Sequence, residues 1–410
     1  MAKKNKYDWQ IGEEPPLIDS HSLIKLSIIE RYMEIYLKFL TKGCFTSSLK
    51  LTIVDGFSGG GLYKGDITGS PIRIKKAIEA TKKIIKFEKE QSNCIPINFD
   101  IDYKFIEKRR GSFCFLKKTL DDFGYDGYKT ECILGEFSSQ LNNIIKHIQQ
   151  KSRAQKAIFI LDQYGYSDAP IKDIYKIFNN LKKAEVILTF SMDSLIDYLS
   201  KSNPATLLNL GLSKDNTEHI LDLKEDNNFS RAKLQPLLYK SIVRASGAKY
   251  FTPFFIKCDS SNRSYWLFHF SSHPTARDEM MKLHWDKQNT FQHYGGAGLK
   301  MLIGYDSAKE NSLFEFDDFA KENNINLLSR EIPQIIYNEN EISFENLRNS
   351  IINQTPATID IIKESLNRSM KTGEIYVKSF DKKSNRLKSS RIKNNDLLIY
   401  RGRKQYSLFD

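Results

Sequence analysis

Cysteine is scarce and scattered. The 410 residues hold five, Cys44, Cys94, Cys114, Cys132 and Cys258, and no two form a C-x-x-C pair. That pattern argues against a disulfide framework and against a zinc knuckle, and it fits a reducing cytosol. Histidine is sparse too, with seven in all. His269, His273 and His284 lie close in sequence, but they make no H-x-x-x-H on one helical face and have no partnering cysteine pair, so no metal site is expected. His269 reads as a packed sheet residue. Long apolar runs are missing: none reaches the roughly 18 residues of a membrane span. The first ten residues, MAKKNKYDWQ, carry charge with no apolar stretch behind it, unlike a signal peptide. A cytoplasmic protein is the expectation. There is no internal repeat and no long low-complexity tract.

Positive charge is what the chain has in excess. The formal net charge is +12 and the pI about 9.1, with 40% hydrophobic and 12% aromatic residues. Such a chain can build a sizeable core. Its charge favours a polyanionic partner, nucleic acid being the commonest, although lysines that only solvate the surface give the same balance.

Helical and strand patterns alternate through the first half. Residues 1–19 read as a mobile tail, and HSLIKLSIIERYMEIYLKFL as a helix. LTIVD is a short buried strand ending at Asp55. PIRIKKAIEATKKIIKF is a helix with Pro71 in its first turn. NFDIDYKFIEK, YKTECILGEF, AIFILD and EVILTFSM are strands, with helices GSFCFLKKTLDDF, SSQLNNIIKHIQQ and IKDIYKIFNNLKKA between them. A helical insert follows near 194–246. YFTPFFIKC and SYWLFHFSS then form a hairpin, and HPTARDEMMKLHWDK a helix. Alternation of this kind signals a doubly wound parallel sheet. With the late antiparallel hairpin, it matches the seven-stranded, Rossmann-like sheet of class I methyltransferases, over residues 20–306.

The most informative stretch is VDGFSGGGLYKGDITGSP, Val54 to Pro71, with six glycines. A P-loop requires Lys after its last glycine, and Asp66 stands there instead. A dinucleotide fingerprint is broken by Lys64 and by a long loop before the next helix. The pattern D-x-F-[AS]-G-x-G fits without a gap through Asp55, Phe57, Ser58, Gly59 and Gly61. It looks like motif I of nucleic-acid methyltransferases, which implies S-adenosylmethionine as cofactor. Asp55 would anchor its amino-acid end, Gly59 and Gly61 would let the backbone approach, Glu107 at the next strand end would take the ribose hydroxyls, and Glu136 in LGEF would lie at the adenine.

The catalytic candidate is LDQYG, with Asp162, Gln163 and Tyr164 at the fourth strand end. Amino-methyltransferases carry D-P-P-[YF] here. The acid accepts a hydrogen bond from an exocyclic amine, and the aromatic stacks on a flipped base. Gln163 departs from that pattern, and the aromatic falls one place early. A strand-end Asp that merely caps its loop is the plain alternative. Cytosine-C5 chemistry is set aside, because no cysteine follows a proline. Lys25 and Tyr32 on the first helix are candidates for closing the site.

Past residue 307 the character changes. FENLRNSIINQ and TPATIDIIKESLNRSMKTG read as helices, the second with Thr355 as N-cap and Pro356 at N1. EIYVKSF and DLLIYRGR read as strands flanking a basic loop. Together they form a winged helix-turn-helix over 307–410. Residues 361–410 carry 13 Lys and Arg against 5 Asp and Glu, most of the chain's excess. Thr358, Asn367, Arg368 and Lys371 on the second helix, with Lys382, Lys383, Arg386, Lys388, Arg391 and Lys393 in the wing, are the expected contacts to DNA or RNA.

In combination, HSLIKLSIIERYMEIYLKFL, VDGFSGGGLYKGDITGSP, ILDQYG and FHFSSHPTARDEMMKLHW resemble the three-Cys-motif partner protein family (TcmP). The resemblance covers about Ser20 to Asp286. Its most specific part is D-G-F-x-G-x-G with Gly69, Ser70 and Pro71. It implies a methyltransferase-like fold, a cysteine-motif partner protein, and company with phage defence and mobile elements. Family members often read D-P-Y-G or D-P-F-G where Asp162 to Gly165 stand, so Gln163 is this chain's own change. The leading expectation is a methyltransferase acting on nucleic acid at an exocyclic base amine. Two others stay open: a non-catalytic nucleic-acid-binding subunit of a two-component system, and a winged-helix regulator that senses a nucleotide-like metabolite.

Overall fold

Runs such as SLKLTIVD, KAIFILD and KAEVILTF bury nearly every side chain, as parallel strands covered on both faces do. The computed structural model describes residues 7–125, 127, 129–163, 167–202, 204–210, 212–225, 231–257, 264–286, 292–293, 296–301, 314–381 and 383–402. They belong to two units, Met1–Leu283 and His284–Asp410. The junction expected at 306/307 lies outside the described residues.

The first unit opens with α1 (Ser20–Leu40), then β1 (Ser48–Asp55), a short ladder of β2 (Leu62–Tyr63) and β3 (Ile67–Thr68), and α2 (Ser70–Gln91). Next come β4 (Asn98–Glu107), α3 (Arg110–Asp122), β5 (Thr130–Leu134), α4 (Phe137–Lys151), β6 (Lys156–Asp162), α5 (Ile171–Asn180) and β7 (Lys183–Phe190). The expected helical insert consists of α6 (Met192–Tyr198), α7 (Ala205–Asn209), α8 (Lys214–Glu225) and α9 (Arg231–Ser246). The hairpin is β8 (Tyr250–Lys257) with β9 (Ser264–Ser271), and α10 (Pro274–Asp286) follows.

Seven of these strands form one sheet in the order β5-β4-β1-β6-β7-β9-β8. Counted along the chain that is 3-2-1-4-5-7-6. The four pairings from β5 across to β7 are parallel, and β9 is antiparallel to both β7 and β8. This is the class I methyltransferase sheet, as the strand pattern implies. Asp55 pairs with Phe105 on one side and Ile160 on the other. Glu107 and Asp162 each stand two residues beyond that row. Side chains alternate along a strand, so all three carboxylates emerge on one face at the carboxyl edge.

The second unit contains the paired dipeptides β10 (Gln292–His293) and β11 (Phe314–Glu315). Then come α11 (Asp318–Glu339), β12 (Glu341–Ser343), α12 (Phe344–Ile351), α13 (Ile359–Lys371), β13 (Ile375–Lys378) and β14 (Leu397–Tyr400). The last three strands pair in the order β12-β14-β13. Three helices and a three-stranded sheet in this chain order make a winged helix. Leu328, Ile332, Ile336, Leu347, Ile362, Leu366, Val377 and Leu398 fill its core.

Several expectations need correction. Helix α13 starts at Ile359, not after Thr355. Thr358 is the N-cap, accepting from the backbone N–H of Ile361 at 3.2 Å, and Asp360 adds negative charge at the helix start. Thr355 instead accepts from the N–H of Ala357, two residues on. Helix α11 and strand β12 have no counterpart in the sequence pattern described above. Within the stretch expected to be a tail, Trp9 and Ile18 are buried. Cys44 and Cys94 form a disulfide. Their separation in sequence hid what the packing of α1 on α2 brings together. Cys258 lies outside the described residues. Among the described residues no helix is long and apolar enough to cross a membrane.

Candidate active site and nucleic-acid interface

The site is assembled at the carboxyl edge of β4, β1 and β6. Asp55 is fully buried. Its Oδ1 accepts from the N–H of Phe57 at 3.1 Å, and its Oδ2 accepts from the Ser70 hydroxyl at 2.6 Å. Burial pushes its pKa up to about 7 against those two hydrogen bonds, and the nearby charges of Asp162 and Glu107 add to the rise. Three carboxylates therefore share one neighbourhood. The Phe57 ring packs with its centroid 6.2 Å from that of Phe137.

Glu107 is buried and bound to backbone on both oxygens. Oε2 accepts from the N–H of Gly59 at 3.1 Å, and Oε1 from the N–H of Arg109 at 2.8 Å. A carboxylate takes about four hydrogen bonds, so each oxygen keeps capacity for a hydroxyl. Asp162 is one-fifth exposed at its side chain and receives Lys25 Nζ at 2.6 Å. Lys25 reaches it from α1, as expected. Tyr32 does not. It lies deep between the sheet and α1, donating to Glu185 Oε2 at 2.6 Å, where His269 Nε2 also approaches at 3.0 Å. His269 is thus the packed sheet residue its pattern suggests.

Gln163 is buried, and its Oε1 accepts from the N–H of Ala169 at 2.9 Å, closing the loop after β6. Its Nε2 has no hydrogen-bond partner among the described residues. Tyr164 lies outside the described residues. Glu136 is exposed at the N-cap position of α4, past the end of β5, and its side chain makes no capping bond. It is not drawn in to the other three acids.

The glycine run has an occupant that the sequence pattern does not announce. Trp9 lies against it, almost fully buried, and its Nε1 donates to the Leu62 carbonyl at 2.6 Å. A Cβ on Gly60 would fall 2.4 Å from the indole, and one on Gly59 2.9 Å. Gly61, at φ +77°, would direct a Cβ at Leu116, 3.1 Å away. Tyr7, Trp9 and Tyr63 form an aromatic cluster. Tyr7 also donates to Asp19 at 2.7 Å, and its carbonyl accepts from the Arg109 guanidinium. Burial first, then the charge of Asp162, pushes the Tyr63 phenol far up. The segment from Tyr7 to Gln10 is therefore a strap along the rim of the site. The signal for it was a pair of aromatics, Y-x-W, inside an otherwise polar tail.

The basic residues of the winged helix divide into two groups. Arg368 is held by Glu322 at 2.8 Å on both terminal nitrogens, and by Asn326. Arg386 grips the buried Asp396 at 2.7 and 3.1 Å. Thr358 is buried as a cap, and Asn367 is half-buried. Arg368, Arg386 and Thr358 are thus already engaged within the domain. Lys371, Lys383, Lys388, Arg391 and Lys393 are exposed. Lys382 lies outside the described residues.

Residues 304–381 match the family model described as the GMT-like wHTH domain. No curated protein sequence matches the chain. Similar solved structures include a Legionella pneumophila protein of family-model DUF519, at 13% identity and TM-score 0.36, over 65% of this chain and 90% of that one. M. jannaschii TYW2 in complex with AdoMet is similar at 10% identity and TM-score 0.31, over 62% and 77%. A SAM-dependent methyltransferase from Agrobacterium tumefaciens is similar at 7% identity and TM-score 0.29, over 63% and 64%. These likenesses are distant, and the fold rests on the strand order described above.

Proposed function

We propose that this chain is an S-adenosylmethionine-dependent methyltransferase that acts on nucleic acid at an exocyclic base amine. The observation that carries the reading is the gathering of Asp55, Glu107 and Asp162 on one face at the carboxyl edge of three adjoining strands in a 3-2-1-4-5-7-6 sheet. Ligands of open α/β sheets bind at that edge, where the strand order reverses. The residues fit the cofactor. Glu107 keeps acceptor capacity for ribose hydroxyls, and the backbone of Gly59 to Gly61 bounds the same space. Glu136 would border the adenine end. When bound, the cofactor supplies an electrophilic methyl on a sulfonium.

The chain's own groups do the positioning. Asp162 accepts a hydrogen bond from the amine, so the nitrogen lone pair is turned toward the methyl. Lys25 holds the Asp162 carboxylate in place. Tyr164 would stack on the base. Most of the rate then comes from orientation. The winged helix would hold the polymer. A cysteine-motif partner and a part in phage defence belong to this proposal through the family resemblance alone, and a cytoplasmic setting through the scarce, scattered cysteines.

A second reading is a non-catalytic nucleic-acid-binding subunit. It is favoured by the ion pair that already engages Asp162, by Gln163 turned inward, and by Trp9 on the glycine loop. Calorimetric titration with S-adenosylmethionine and S-adenosylhomocysteine separates the two. Wild-type protein binds both, and Glu107→Gln loses at least about tenfold, the free-energy equivalent of about one charged hydrogen bond. Absence of binding by the folded wild type would remove the methyltransferase reading and leave the subunit.

A further inference from the structure

In a helix-turn-helix the N-terminal half of the second helix ordinarily meets the base edges. Here that half of α13 is acidic outside. Asp360 and Glu364 are exposed, one helical turn apart on the same face. The helix carries three cations, and two are engaged within the domain. Lys363 Nζ donates to the Ile392 carbonyl at 3.1 Å and lies over the Phe344 ring. Arg368 is locked to Glu322. Only Lys371, at the far end, is exposed.

The wing is the reverse. Lys383, Lys388, Arg391 and Lys393 are exposed, and no hydrogen bond or ion pair engages their side chains among the described residues. The loop that bears them is built rather than slack. Arg386 and the Lys393 N–H both bind Asp396. Ser379 accepts from the Ser384 N–H at 3.1 Å, and the N–H of Arg386 donates to Val377 at 2.7 Å. Asp381, the wing's other acid, is turned to the backbone of Lys383.

We propose that the wing, and not the second helix, is the element that docks on duplex DNA, and that it does so through the phosphate backbone with little dependence on sequence. A two-stranded ribbon fits the wide major groove of B-form DNA, whereas the deep, narrow major groove of an RNA duplex excludes it. The exposed Asp360 and Glu364 of α13 would repel phosphates rather than bind them. This inference rests on the nucleic-acid part of the proposed function and not on the methyl-transfer part.

The test is fluorescence anisotropy of a labelled random-sequence DNA duplex with the full chain, titrated across salt. The wing variant Lys388→Gln/Arg391→Gln/Lys393→Gln binds about tenfold or more weakly, and its salt slope flattens by about 0.9 for each phosphate that is no longer neutralised. The helix variant Asp360→Asn/Glu364→Gln binds at least as tightly as wild type. An unchanged affinity and slope in the wing variant, or loss of binding in the helix variant, overturns the proposal. So does wild-type protein that binds no DNA, or that prefers an RNA duplex of the same sequence. Calorimetry with S-adenosylmethionine on the wing variant reports the other site separately. Duplex binding that depends on the wing in a chain that ignores the cofactor upholds the wing while ending the methyltransferase reading.

Discussion

A methyl group on Gly60 would land 2.4 Å from the Trp9 indole, inside any tolerable contact. Gly60→Ala must therefore push Trp9 off the loop, at a cost of about 1–3 kcal/mol, the usual range for overpacking. Trp9→Ala removes the obstacle. In that background Gly60→Ala costs little, and chemical denaturation of the four proteins gives a coupling of at least about 1 kcal/mol. Additive losses would mean that the strap does not rest on the glycines. The residue scale is also where the sequence was least evenly legible. Asp55, Glu107 and Asp162 were visible because strand ends and a motif fix them. Trp9 was not, since its partner is remote in the chain and a polar tail gives no periodicity. Arg368 and Arg386 were visible as charges but not as struts, because only packing reveals Glu322 and Asp396 opposite them.

Among the elements, α11 is built against a local rule. Pro333 sits inside it. Proline has no N–H, so the carbonyl four residues earlier loses its helical partner. That carbonyl belongs to Ser329, and the Ser369 hydroxyl of α13 donates to it at 2.9 Å. Ser369→Ala leaves a half-buried acceptor unmet and destabilises the winged helix by about 1 kcal/mol. In a Pro333→Ala background the helix supplies its own donor, and the same substitution then costs a few tenths. Thermal unfolding of the four combinations reads this directly, and equal losses in both backgrounds would refute the repair. The same proline explains why the helix was illegible in sequence. It interrupts a good pattern, Ile325, Leu328, Ile332 and Ile336, whose residues are all buried. The sheet was legible because its strands are continuous apolar runs separated by helical repeats. Thr355 misled because a Thr-Pro pair and a Thr-Ile-Asp run, three residues apart, both resemble helix starts.

At the scale of the whole molecule, the Cys44–Cys94 link joins segments 50 residues apart in the first unit. Closing a loop of that length constrains the unfolded chain by about 4 kcal/mol in the chain-entropy treatment. Denaturation with reductant should lower wild-type stability to that of Cys44→Ser, and reductant should leave the variant unchanged. In a reducing cytosol the thiols would stand open and the fold would rest on its packing. The excess of positive charge and its concentration in the C-terminal residues, the wing above all, were legible from the sequence, but the engagement of Arg368 and Arg386 in ion pairs of their own domain was not. The strap has a last consequence, which concerns inheritance. Gly59 and Gly60 are held to glycine by an indole of the same chain, so the run is not by itself the imprint of a ligand. A lineage that lost its tryptophan would release Gly60 to drift, while Gly59, at φ +60°, would still favour glycine. Gly60 and Trp9 should then be retained or surrendered together.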